Sequence, residues 1–169
     1  MPCLSPLYIF MGRETMKKIT INKKEYTFEF TIEASLYDDC TKSVMDMIVK
    51  GGMLQGAAES NDAESALENL IDTIANLPQK ALTLFYAGLL EHHGPEGDGS
   101  IQGMSDAKKL LVTYLKESGK SFRDILGDMM NLMAEDSFFE LIGLDKMTEE
   151  MTSEIEAIPE VGKNTSKKK

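Results

Sequence analysis

Hydrophobic periodicity changes once along this chain, and that change confines the fold. Over residues 18–30 the period is two. Ile19 and Ile21 alternate with Lys18 and Thr20, and Tyr26, Phe28 and Phe30 alternate with Thr27 and Glu29. Between the two runs lies the polar stretch Asn22-Lys23-Lys24-Glu25. Alternation on both sides of a polar turn predicts a β-hairpin with one wet face. A lone hairpin is only marginally stable, so its apolar face must lie on something else. Every later apolar stretch has helical spacing. The expected fold is mainly α with a small N-terminal β-hairpin (α+β), a compact bundle of about five helices whose faces receive the hairpin.

The first helix is expected over Ile32–Lys50, with Thr31 as N-cap, Glu33 favouring the N-terminal dipole and Gly51-Gly52 as the stop. Residues 53–61 read as a loop. Asn61 and Glu64 resemble a capping pair, and Ala63, Ala66, Leu67, Leu70, Ile71 and Ile74 form the next apolar stripe. Pro78 predicts a break and the first turn of a third helix. That helix holds "ALTLFYAGLL", apolar nearly all round and so expected to be central and buried. The glycine-rich 94–103 reads as a loop. A helix over Asp106–Glu117 is expected to start at Ser105, to turn Ala107, Leu110, Leu111, Tyr114 and Leu115 inward and to stop at Gly119. The last clear helix, 122–135, is capped by Ser121 with Asp124. Its Phe122, Ile125, Leu126, Met129, Met130, Leu132 and Met133 fall within an arc of about 160°. The apolar theme continues through "FFELIGL" to Gly143.

A chain of 169 residues fits one domain. There is no Trp, so the core must come from Leu, Ile, Ala and Met. The net charge of −10 repels nucleic-acid backbones and anionic membrane surfaces. No stretch approaches the roughly 20 apolar residues that span a bilayer. Two cysteines, Cys3 and Cys40, suggest neither a disulfide framework nor a zinc site. A cytosolic, reducing setting fits.

The expected organisation has three parts: an extension over 1–15, a hairpin-plus-helices domain over 16–144, and a tail over 145–169. Met16-Lys17-Lys18 leads straight into the patterned strand, whereas residues 1–15 have two prolines and no period. Gly12-Arg13-Glu14 can be encoded by a purine-rich run of the ribosome-binding kind. Met1–Thr15 is therefore expected to be translated upstream sequence, or the product of a mis-called start, rather than part of the fold. The alternative is an arm that docks Tyr8 and Phe10. Beyond 144, "MTEEMTSEIEA" predicts a weak acidic helix, and residues from Pro159 a solvated basic tail.

No catalytic constellation stands out, and an enzyme is not expected. His92 and His93 are adjacent, so on a helix they point about 100° apart and are poor joint ligands. A helix end, where His is favourable near the last carbonyls, suits them better. "EGDGS" fails the register of a calcium loop: with Gly99 at the sixth position, the first would be Gly94 and the twelfth Ser105. Cys40 follows two acids, which disfavour a thiolate, and reads as a small core residue. No metal and no cofactor are expected. The candidate partner-binding residues are Phe122, Leu126, Met129, Met130 and Met133, with Met147 and Met151 further on. Met-rich surfaces adapt to varied partners. Core filling is the competing reading, and it suits Met129 and Met133 best.

The order of features, "KKITINKKEYTFEF", then "ALTLFYAGLLEHHG", then "SDAKKLLVTYLKESG", resembles the tail assembly chaperones of long-tailed phages and prophages of Gram-positive bacteria. The resemblance spans roughly Met16 to Leu144 and rests mainly on Ile19–Phe30 and Leu84–Gly94. It implies a small helical protein of the host cytoplasm, absent from the mature virion. Such a protein binds the tail tape measure protein, keeps it soluble and helps recruit tail tube protein. Many such genes use a programmed frameshift to append a second domain. Lys167-Lys168-Lys169 can be encoded by the unbroken A run that a frameshift needs. Self-association is left open. The alternative is a structural or connector subunit of a phage particle, or a generic helical adaptor.

Overall fold

A computed structural model describes the backbone of residues 17–60 and 63–146, with side chains except at 52–60, 63, 65 and 66. The expected extension at 1–15, Asn61 of the capping pair, Met147, Met151, the acidic helix and the basic tail lie outside the described residues. The fold is mainly α with one two-stranded antiparallel hairpin, as the change of period predicts.

Strands β1 (Lys17–Ile21) and β2 (Lys24–Phe28) pair with Ile19 opposite Tyr26 and Ile21 opposite Lys24. The turn is tighter than the four polar residues suggest. Only Asn22 and Lys23 form it, both at positive φ (50° and 64°), the conformation that matches strand twist in two-residue hairpins. Ile19, Ile21 and Phe28 are buried beneath the hairpin.

Helix α1 (Ile32–Leu36) and α2 (Asp38–Ser60) replace the single helix expected over Ile32–Lys50. Tyr37 separates them in an extended conformation, φ −82° and ψ 96°, with its ring edge-on to Tyr86 at 5.4 Å. Thr31 occupies the N-cap position, yet its hydroxyl donates to Glu91 Oε2 at 2.6 Å rather than capping. Gly51-Gly52 does not stop α2, and residues 53–60 are helical rather than a loop. Interior glycine costs only about 1 kcal/mol against Ala, and α2 offsets this by packing along α3.

Helix α3 (Ala63–His93) is continuous through Pro78, where a break was expected. Proline removes one N–H and crowds the carbonyl four residues before it. Here Pro78 and Ile74 both sit on an exposed face, so that carbonyl looks toward water. The two expected helices are thus one, and its halves differ sharply. All described residues from 64 to 79 are exposed or half-buried, whereas Ala81–Phe85, Ala87 and Leu89 are buried. "ALTLFYAGLL" is the central buried element, as its composition predicts.

Helix α4 (Met104–Ser118) and α5 (Phe122–Glu135) pack against the second half of α3, followed by the short α6 (Phe138–Leu141). α4 starts just before Ser105 and ends at Gly119, which takes the left-handed conformation (φ 69°) that glycine permits at a C-terminus. Ser121 and Asp124 close a reciprocal capping box at the start of α5. Residues 144–146 are helical again. No helix among the described residues is long and apolar enough to cross a membrane.

The hairpin docks edge-on to α3. Glu29 N–H donates to the Gly88 carbonyl at 2.9 Å, and Thr27 N–H to His93 Nε2 at 2.9 Å. A Cβ on Gly88 would stand 3.1 Å from the Phe28 ring and 3.3 Å from that of Phe30. The bare glycine therefore lets both rings close on the helix. Covering the edge removes the open hydrogen-bonding row that makes lone hairpins aggregate.

Candidate partner-binding surface

The titratable cluster at the end of α3 is structural. His93 is buried, and its Nε2 accepts the Thr27 N–H. The ring proton of the neutral imidazole therefore sits on Nδ1, which donates to Asp98 Oδ2 at 2.8 Å. Asp98 also accepts from Ser100 N–H at 2.8 Å. The Ser100 hydroxyl and N–H, then His93, hold the Asp98 carboxyl well below its usual range. His92 reaches the other way, to Glu29 Oε2 at 2.7 Å. The two rings thus tie the 94–101 turn and β2 to one helix end. Among the described residues no three His, Cys, Asp or Glu side chains converge to hold a metal ion. Cys40 is fully buried, and burial pushes its thiol up to about 12, so it stays protonated and unreactive.

The apolar arc of α5 lies against α3 rather than open to solvent. Met129 and Met133 are fully buried alongside Ile125 and Leu132 and serve as core. Phe122, Leu126 and Met130 form the half-buried rim of that packing. Leu126 also faces a cleft of about 160 Å³ that it shares with Met47 of α2 and Thr73 and Leu77 of α3. Met147 and Met151 lie outside the described residues.

Among the described residues, the longest row of exposed apolar side chains lies on the first half of α3. Leu67, Leu70, Ile71 and Ile74 are 57%, 45%, 59% and 61% exposed. The stripe named in the sequence is thus present on the helix, but a stripe of this kind ordinarily faces a core. Burial ends at Lys80, so nothing described covers the stripe. The first half of α3 is braced instead by α2 on its other side. Lys50 bridges Asp46 and Asp72, and Lys80, nearly buried, is paired with Asp46. These alternating charges fix the antiparallel pair without using its apolar row. The resulting two-helix arm runs about 24 Å from residue 63 to 78 at 1.5 Å per residue. Leu77 lies in the cleft with Leu126 and one turn from Ile74, so the row reaches the rim of α5.

A sequence signal for this outcome existed in the charges. Between Gly51 and Gln79 lie five acids and no base. A stretch so acidic is poorly suited to an interior. The chain matches no protein-family model, no curated protein and no solved structure.

Proposed function

We propose that this protein is a holdase of phage tail assembly: it binds the tail tape measure protein and keeps it soluble while tail tube protein is recruited. The resemblance of Ile19–Phe30 and Leu84–Gly94 to the tail assembly chaperones supplies the partner. The observation that carries the reading is the row Leu67, Leu70, Ile71 and Ile74, held in water on an acidic arm. A holdase needs apolar surface that is offered without self-aggregation, and net negative charge provides the second condition.

The reading places the protein in the host cytoplasm and outside the finished particle. Co-expression with a large tail tape measure protein is the test. The expected result is that the large protein stays soluble and co-purifies only when this chain is present. A large protein that is soluble alone and ignores this chain overturns the reading. Recovery of this chain from purified particles would instead favour a structural or connector subunit.

A further inference from the structure

We infer that the exposed row on the first half of α3 is a docking surface for one amphipathic helix of another protein, apolar on one face and flanked by Lys or Arg. The inference rests on the chaperone reading only for the identity of the protein that carries this helix.

The geometry of the row defines the shape of its occupant. At 100° per residue, Leu67, Leu70, Ile71 and Ile74 fall within an arc of about 100°, the width one helix covers. Residues 67, 71, 74 and 78 alternate in steps of four and three, and the same series continues as Ala81, Phe85 and Gly88. In the head that face is covered: Phe28 packs on Phe85 at 4.8 Å and closes on Gly88, and Tyr114 stacks on Phe85 at 6.3 Å. On the arm no described residue covers the same face. An incoming helix would extend a seam already formed by the hairpin and α4. Helix-in-groove recognition reads such i, i+3, i+4, i+7 anchors.

Charge selects among the occupants. Glu64 and Glu68 border the row on the side away from α2, and both are exposed. Residues 51 to 79 carry five acids and no base, and only Asp72 of the three acids with described side chains is paired, to Lys50 at the arm's base. A second copy of this chain would bring two such arms together. Of the chain's own segments outside the described residues, 147–158 carries Glu149, Glu150, Glu154 and Glu156 and no base, and 1–15 has Arg13 offset by Glu14, so neither brings the positive charge that the acidic border selects. A cationic helix meets none. Complementary rim charge also speeds its encounter.

The test uses the full-length protein and two synthetic peptides of about 18 residues with identical Leu/Ile faces, one flanked by Lys and the other by Glu. Titration followed by fluorescence anisotropy should show the Lys peptide binding at least tenfold more tightly than the Glu peptide. The double variant Ile71→Gln/Ile74→Gln alters only exposed side chains. It should weaken Lys-peptide binding at least tenfold with an unchanged melting temperature. Glu64→Lys/Glu68→Lys should erase the preference between peptides. No binding of either peptide, or equal binding of both, overturns the proposal. So does a wild-type dimer in sedimentation velocity that Ile71→Gln/Ile74→Gln dissociates, since the occupant is then a second copy. Co-expression separates this proposal from the chaperone reading. If Ile71→Gln/Ile74→Gln still keeps the tape measure protein soluble, the surface is wrong and the chaperone reading stands. If wild type fails to do so, that reading falls while the peptide result stands.

Discussion

His93 shows how one side chain can hold three segments. Its ring accepts from β2 through Thr27 and donates to the 94–101 turn through Asp98. Replacing it by Ala strands a part-buried N–H, which costs about 1–3 kcal/mol. His93→Ala is therefore expected to lower the urea midpoint of unfolding, and a midpoint equal to wild type would mean that water replaces the imidazole at no cost. Two glycines of this chain carry opposite expectations. Gly51 is helical and exposed, and a Cβ there meets nothing within 4 Å. Gly51→Ala should stabilise by about 0.5–1 kcal/mol. Gly88→Ala forces a methyl against Phe28 and Phe30 and should destabilise by about 1–3 kcal/mol. Thermal unfolding of both variants checks the pair, and the same sign for both would contradict the contacts described.

The arm depends on its ion pairs at the level of elements. Lys80 is nearly buried at the point where α2 crosses the last covered turn of α3, and Asp46 is its partner. Removing Asp46 leaves that ammonium without its carboxylate. Asp46→Ala is expected to cost about 1–3 kcal/mol. Hydrogen exchange should accelerate over residues 63–77 ahead of 81–89, because no described residue from 64 to 79 is buried. Exchange that rises evenly along α3 would show the helix opening as one unit. Pro78 lies near this boundary, and the helix crosses it because its lost hydrogen bond falls on the exposed side.

At the scale of the molecule, four carboxyl groups among the described residues sit below their ordinary value of 3.8: Asp98 through Ser100, Asp46 through Lys80, Asp72 through Lys50 and Asp124 through the Ser121 N–H. A carboxyl whose folded pKa is depressed stabilises the fold above its unfolded value. That contribution is lost as pH falls through the folded value. Stability should thus be flat in these groups near neutrality and decline below about pH 4. Asp98→Asn should flatten part of that decline, as measured by urea unfolding at pH 3 and pH 6. An unchanged slope would mean that the Ser100 and His93 contacts do not persist in solution.

The sequence by itself determined the elements whose signals are local. Helix α5 lies where its period and the Ser121–Asp124 pair place it, because a capping box and an apolar stripe need only residues within one turn of each other. The strands follow from alternation, the end of α4 from Gly119, and the buried centre of α3 from the composition of "ALTLFYAGLL". Tertiary structure alone decided whether Gly51-Gly52 and Pro78 would interrupt helices. Each costs a few kcal/mol at most, and packing of α2 along α3 or an exposed position for the free carbonyl offsets that. It also decided which apolar stripes are covered. The stripes at 67–74 and 122–133 look alike along the chain, yet one is exposed and the other is largely core. Burial depends on what lies across from a helix face, and a periodic pattern names the face without naming its neighbour.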